Sequence, residues 1–130
     1  FGSHTQPPVL FNGYFYTQFS TNNRKDGLVC MSIDGQVKWR TRRSPAFDKG
    51  GIIVADGLLI CTDGSTKLYL VEPDSSAFKP VASTELLAPN PGDENETDRF
   101  ATQNWAPLAI AEGRLLIRDQ RRLLCVQIVK

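Results

Sequence analysis

The chain has 130 residues, 41% hydrophobic and 22% charged, and its 15 Lys and Arg against 14 Asp and Glu leave a formal net charge of +1. So balanced a total supplies no global field of the kind that holds nucleic acid or an anionic membrane surface, and no apolar run approaches the roughly 20 residues that insert across a bilayer. Three widely spaced Cys and a single His, His4, with no C-x-x-C spacing, offer neither a zinc motif nor a disulfide framework nor a Cys-His or Ser-His-Asp arrangement away from the chain end.

Residues 8–16 are two β-rich runs joined by Asn12-Gly13. That dipeptide suits a tight hairpin, because the turn needs φ > 0 where Gly has no Cβ to clash. A third run, 27–33, and a fourth, 36–41, follow, joined at Asp34-Gly35. In the fourth run Lys38, Arg40 and Arg42 alternate, which predicts a solvated outer stripe with Trp39 pointing inward to pack.

The pattern then restarts. Residues 52–60 form a second hairpin at Asp56-Gly57, residues 67–72 supply the third run, and residues 80–84 supply the fourth, after a connection at 73–79 that lacks the Gly and the Trp. Residues 108–116 form a third hairpin at Glu112-Gly113, and residues 122–128 its third run. Each Cys falls in an apolar strand setting, Cys30 and Cys125 at the same place in two copies, and is expected to be a small buried hydrophobe.

Four short strands in roughly 40–50 residues is the size of a propeller blade. The predicted fold is therefore all-β, a partial β-propeller of about three four-stranded antiparallel blades with the last one incomplete. The repeats span 7–43, 50–87 and 105–130, and 88–104 is a long loop between blades. Gly13, Gly35, Gly57, Gly113 and Trp39 are its structural markers. Because a closed ring needs roughly 180 residues or more, the expected partners are missing blades of a larger protein or other copies of the chain in head-to-tail contact.

In a meander, alternate connections share a rim. The tight Gly turns lie on one rim and the long connections on the other, which is where a protein or polymer partner is expected. Candidates for ligand binding on that second rim are Asn104, Trp105 and Arg118, Trp105 by stacking near the axis and Arg118 by offering a guanidinium fork. Inter-blade packing is the alternative role of Trp105. Asp93, Glu94, Glu96 and Asp98 are weak calcium candidates in a loop without the alternation of a dedicated calcium motif, and Asn95-Glu96-Thr97 matches a glycosylation triplet.

The run from Gly27 to Arg40, with Cys30 at a small-residue position and Trp39 four residues after Gly35, resembles the repeat of the pyrroloquinoline-quinone-type β-propellers. The last copy, from Trp105 through Gly113 to Val126, is similar to the closing blade of bacterial quinoprotein-like and polyvinyl-alcohol-dehydrogenase-like proteins. The resemblance implies a periplasmic or extracytoplasmic propeller. Its enzymes hold quinone with a stacking Trp, a vicinal Cys pair, basic groups and calcium, and this sequence has no vicinal Cys pair. The expectation is a non-catalytic segment for protein recognition or scaffolding, with no catalytic residue and no cofactor in this chain. The alternatives are the C-terminal part of a quinone-dependent alcohol or polyvinyl-alcohol dehydrogenase, whose quinone and calcium would be held elsewhere, and a polymer- or carbohydrate-binding propeller.

Overall fold

The computed structural model describes residues 5–20, 25–88 and 103–128. Among these residues there are eleven β-strands and no helix. Strands β1 (Val9–Phe11), β2 (Tyr14–Ser20), β3 (Lys25–Ser32) and β4 (Val37–Arg40) pair in chain order as one antiparallel sheet. Strands β5 (Ile52–Ala55), β6 (Leu58–Thr62), β7 (Lys67–Glu72) and β8 (Lys79–Glu85) repeat that order in a second sheet, and β9 (Ala109–Ala111), β10 (Arg114–Arg118) and β11 (Leu123–Gln127) form a third, three-stranded sheet. None closes into a barrel.

Local chemistry explains the hairpins. Asn12 and Gly13 have φ of 49° and 81°, and Asp56-Gly57 and Glu112-Gly113 have the same left-handed pair. Two residues with φ > 0 give the turn a twist that matches the right-handed twist of the flanking strands. The strands extend beyond the predicted runs 8–16 and 27–33 where these face each other, since β2 reaches Ser20 and β3 begins at Lys25.

The sheets stack face to face in chain order. Tyr16, Leu28 and Cys30 of the first sheet meet Leu59, Cys61, Tyr69 and Val71 of the second, with Phe47 between them. The opposite face of the second sheet, Ile60 with Leu68 and Leu70 beside it, meets Leu115 and Ile117 of the third, and Leu87 and Leu108 complete this core. Strand alternation thus lets β6 and β7 bury both faces. Burying a Leu, Ile or Val side chain contributes roughly 1.5–3 kcal/mol against leaving it in water, so these two layers dominate the fold.

At the first interface the Gln18 amide is paired with backbone groups of the second sheet and the segment leading into it. Gln18 Nε2 donates to the Thr62 carbonyl at 2.7 Å, and Gln18 Oε1 accepts from Gly50 N at 2.9 Å, both buried. Trp39 sits between Tyr16 and Phe78, with ring centroids 6.2 and 5.9 Å away.

Two expectations are corrected. A bulge in β4 pairs Cys30 with Trp39 but Met31 with Val37, which leaves Lys38 outside the ladder. Lys38 and Arg42 are exposed, but Arg40 is turned into an ion pair with the buried Asp26, Nε to Oδ1 at 3.3 Å, so the three do not form one solvated stripe. Cys30 and Cys61 are buried as expected, whereas Cys125 is exposed, because no described residue covers its face of the third sheet.

Candidate functional site

The connections on the second rim are hydrogen-bonded to one another. Asp48 N donates to the Asp63 carbonyl at 2.9 Å, Asn104 N to the Gly64 carbonyl at 3.0 Å, and Leu86 N and Leu87 N to the Thr66 carbonyl, each at 3.0 Å. The β6–β7 turn is shaped by Asp63, whose Oδ1 accepts from Ser65 N and Lys67 N at 2.8 and 3.1 Å. Burial nevertheless pushes the Asp63 carboxyl above the ordinary carboxylate range. Close approach is part of the design: a Cβ on Gly50 would lie 2.1 Å from the Thr62 carbonyl oxygen, and one on Gly51 would lie 2.9 Å from Leu108 Cγ.

The segments leading into the three innermost strands converge here. Thr5 Oγ1 donates to the Lys49 carbonyl at 3.1 Å, and Gln6 Nε2 donates to the Trp105 carbonyl at 3.1 Å. Lys49 Nζ lies 4.3 Å from the centroid of the Trp105 ring. An ammonium over an indole face is held by the ring quadrupole, so that face is covered by the protein's own cation. The Trp105 Nε1–H is buried and makes no hydrogen bond.

Asn104 lies beneath the rim surface, 2% exposed. Its Nδ2 donates to the Ser65 carbonyl at 2.7 Å and the Ala88 carbonyl at 3.2 Å, which clamps the exit of the 88–104 connection to the β6–β7 turn. Arg118 is exposed at the end of β10, with Nε 3.3 Å from the Asp119 carbonyl. The structure thus brings Asn104 and Trp105 together with Lys49 and sets Arg118 apart at the β10–β11 turn. Asp93, Glu94, Glu96, Asp98, the Asn95 triplet and His4 lie outside the described residues. Among the described residues no group of three or more His, Cys, Asp or Glu is placed to hold a metal.

Asp119 organises the turn beside Arg118. Its carboxylate accepts from Arg121 N, Arg122 N and Ala88 N, and from Arg122 Nε and an Arg122 terminal nitrogen at 2.8 and 2.6 Å. The Arg122 side chain foremost, and then those backbone N–H groups, hold the Asp119 carboxyl well below the usual carboxylate range despite burial. Of this turn the sequence candidates include Arg118 and not Asp119, whose role depends on Ala88 arriving from 31 residues away. Lys49 and Gln6 carried no signal, because nothing local to residues 6 and 49 records their proximity to Trp105.

The groups gathered here are hydrogen-bond donors, a cation and an aromatic ring, engaged largely with one another and with backbone carbonyls. No family model and no curated protein matches this chain.

Proposed function

We propose that the chain is a non-catalytic segment of a quinoprotein-like β-propeller, serving protein recognition or scaffolding within a larger bacterial protein outside the cytoplasm. The outer face of the third sheet carries the reading. Paired residues Tyr16 and Cys30 point from the first sheet to the second, and paired residues Ile60 and Leu70 point from the second to the third. Leu116 and Cys125 are the corresponding pair in the third sheet, yet Leu116 is 37% exposed, Cys125 is exposed, and Leu123 beside them is 71% exposed. A face built like its two covered predecessors supports a further sheet at the same spacing, and the hydrogen-bonded rim then offers a recognition surface along the row of sheets.

Thiol labelling of the whole gene product tests this. Cys125 should react rapidly in the 130-residue chain and be protected in the longer protein. Equal reactivity in both rejects a covering sheet. Saturable binding of pyrroloquinoline quinone in the presence of calcium by the longer protein would favour the dehydrogenase alternative over scaffolding.

A further inference from the structure

We propose that the outer end of the second rim is a binding site for a phosphoryl group, formed by Lys25, Arg40, Arg42 and Arg43. These four cations line an open hollow of about 740 Å³ between the start of β3 and the chain leaving β4. Backbone geometry gathers them. After β4 the chain stays bonded to β3 through Thr41 N to the Leu28 carbonyl at 3.0 Å and Arg42 N to the Asp26 carbonyl at 2.8 Å. Arg42 then takes φ of +59°, which ends the strand alternation and sends Arg43 into a short bridge with Ala46. Arg42 and Arg43 consequently border the same hollow instead of pointing to opposite sides of a strand.

This corner has little room to relax. Gly27, with φ of +76°, passes so close to the departing chain that a Cβ there would lie 2.3 Å from Thr41 Oγ1 and 2.8 Å from the Arg42 carbonyl oxygen. Thr41 Oγ1 also accepts from Leu28 N at 3.0 Å. The cations are therefore carried on a preorganised backbone, which lowers the ordering cost of binding.

The electrostatics favour an anion of more than one charge. Among the described residues that line the hollow, Asp26 is the one carboxylate against four cations. It is buried and lies 3.3 Å from Arg40 Nε, which positions that guanidinium, while the Nε–H itself makes no hydrogen bond. Three positive charges in excess on a chain of net charge +1 concentrate the field at this corner. Guanidinium forks match the oxygens of a phosphoryl group in pairs, as an ammonium does not, and the hollow is large enough for a phosphate monoester with its alcohol portion.

Titration of the chain with inorganic phosphate, pyrophosphate, phosphoserine and acetate, followed by backbone amide shifts at low salt, tests the site. Saturable shifts are expected at residues 25–27 and 40–44 with the phosphoryl compounds and not with acetate, weakening as salt rises. Arg42→Gln and Arg43→Gln should each weaken pyrophosphate binding about tenfold, equivalent to about 1.4 kcal/mol, with unchanged melting temperatures. Lys38→Gln, which removes a charge outside the hollow, should change it less than about twofold. Phosphoserine binding with no response to inorganic phosphate would locate recognition in the attached alcohol portion and overturn the proposal. So would the absence of saturation by about 10 mM pyrophosphate, or an equal loss in Lys38→Gln, which would mark a diffuse field.

Discussion

The Trp39 Nε1–H donates a 2.7 Å hydrogen bond to the Asp74 carbonyl oxygen, fastening the last strand of the first sheet to the β7–β8 turn of the second. The turn is itself held by Asp74, whose Oδ1 accepts from Ser76 N and Ser76 Oγ, each at 2.5 Å, and whose Oδ2 pairs with Lys79. The connection at 73–79 that lacks the repeat's Gly therefore has its own turn chemistry, an Asx-type closure. Its free carbonyl is where the neighbouring sheet docks.

Trp39→Phe should cost about 1 kcal/mol, the net worth of one hydrogen bond, because the aromatic packing against Tyr16 and Phe78 is kept. Trp39→Ala should cost about 3 kcal/mol or more by losing the ring as well. Urea unfolding of both variants separates the two terms, and equal losses would show that the indole hydrogen bond carries the whole effect.

Gln18→Leu should destabilise by about 2–4 kcal/mol. It strips the buried Gly50 N–H and Thr62 carbonyl of their Gln18 partner, and each unsatisfied buried group costs roughly 1–3 kcal/mol. A stability equal to that of the parent in calorimetry would show that the two groups find other partners.

Gly27→Ala and Gly13→Ala form a controlled pair. Both glycines have positive φ, 76° and 81°, but a Cβ on Gly13 meets nothing within 4 Å whereas one on Gly27 collides with Thr41 and the Arg42 carbonyl. Gly13→Ala should cost about 1 kcal/mol of left-handed strain and Gly27→Ala about 3 kcal/mol, from strain and overpacking together. Similar melting temperatures for the two variants would refute the close approach of β3 to the chain leaving β4.

Asp119→Asn tests the rim turn through pH. The folded-state pKa of Asp119 lies below its ordinary value of about 3.9, so its stabilisation is complete above that value and is lost as pH falls through the folded-state pKa. The variant should be less stable by about 1–3 kcal/mol at pH 7, and the difference should shrink on acidification towards about pH 2. A gap that stays constant over that range would assign the loss to packing instead of charge.

Strands and turns were legible because they are written locally. Alternation marks which residues share a face, and Asn12-Gly13, Asp56-Gly57 and Glu112-Gly113 each place left-handed residues where a hairpin reverses. Val9, Ile53, Leu108 and Leu124, apolar positions within the predicted runs, each join one of the two cores. On the rim, Trp105 could be placed near an innermost strand from its position alone. Its neighbours Lys49 and Gln6 could not, since they arrive from 56 and 99 residues away along the chain.

The sequence by itself determined the all-β class, the three-fold recurrence and the register of apolar residues, because backbone sterics and strand periodicity act over a few residues. Tertiary structure alone decided what those residues meet. Cys30 and Cys125 occupy the same place in the repeat, yet one is buried and the other exposed, since burial depends on whether a second sheet lies against that face. Arg40 likewise follows the alternation of an exposed stripe until the β4 bulge and the buried Asp26 draw it into an ion pair. Periodicity names a face, but only the packing of distant segments determines what covers it and which charges converge.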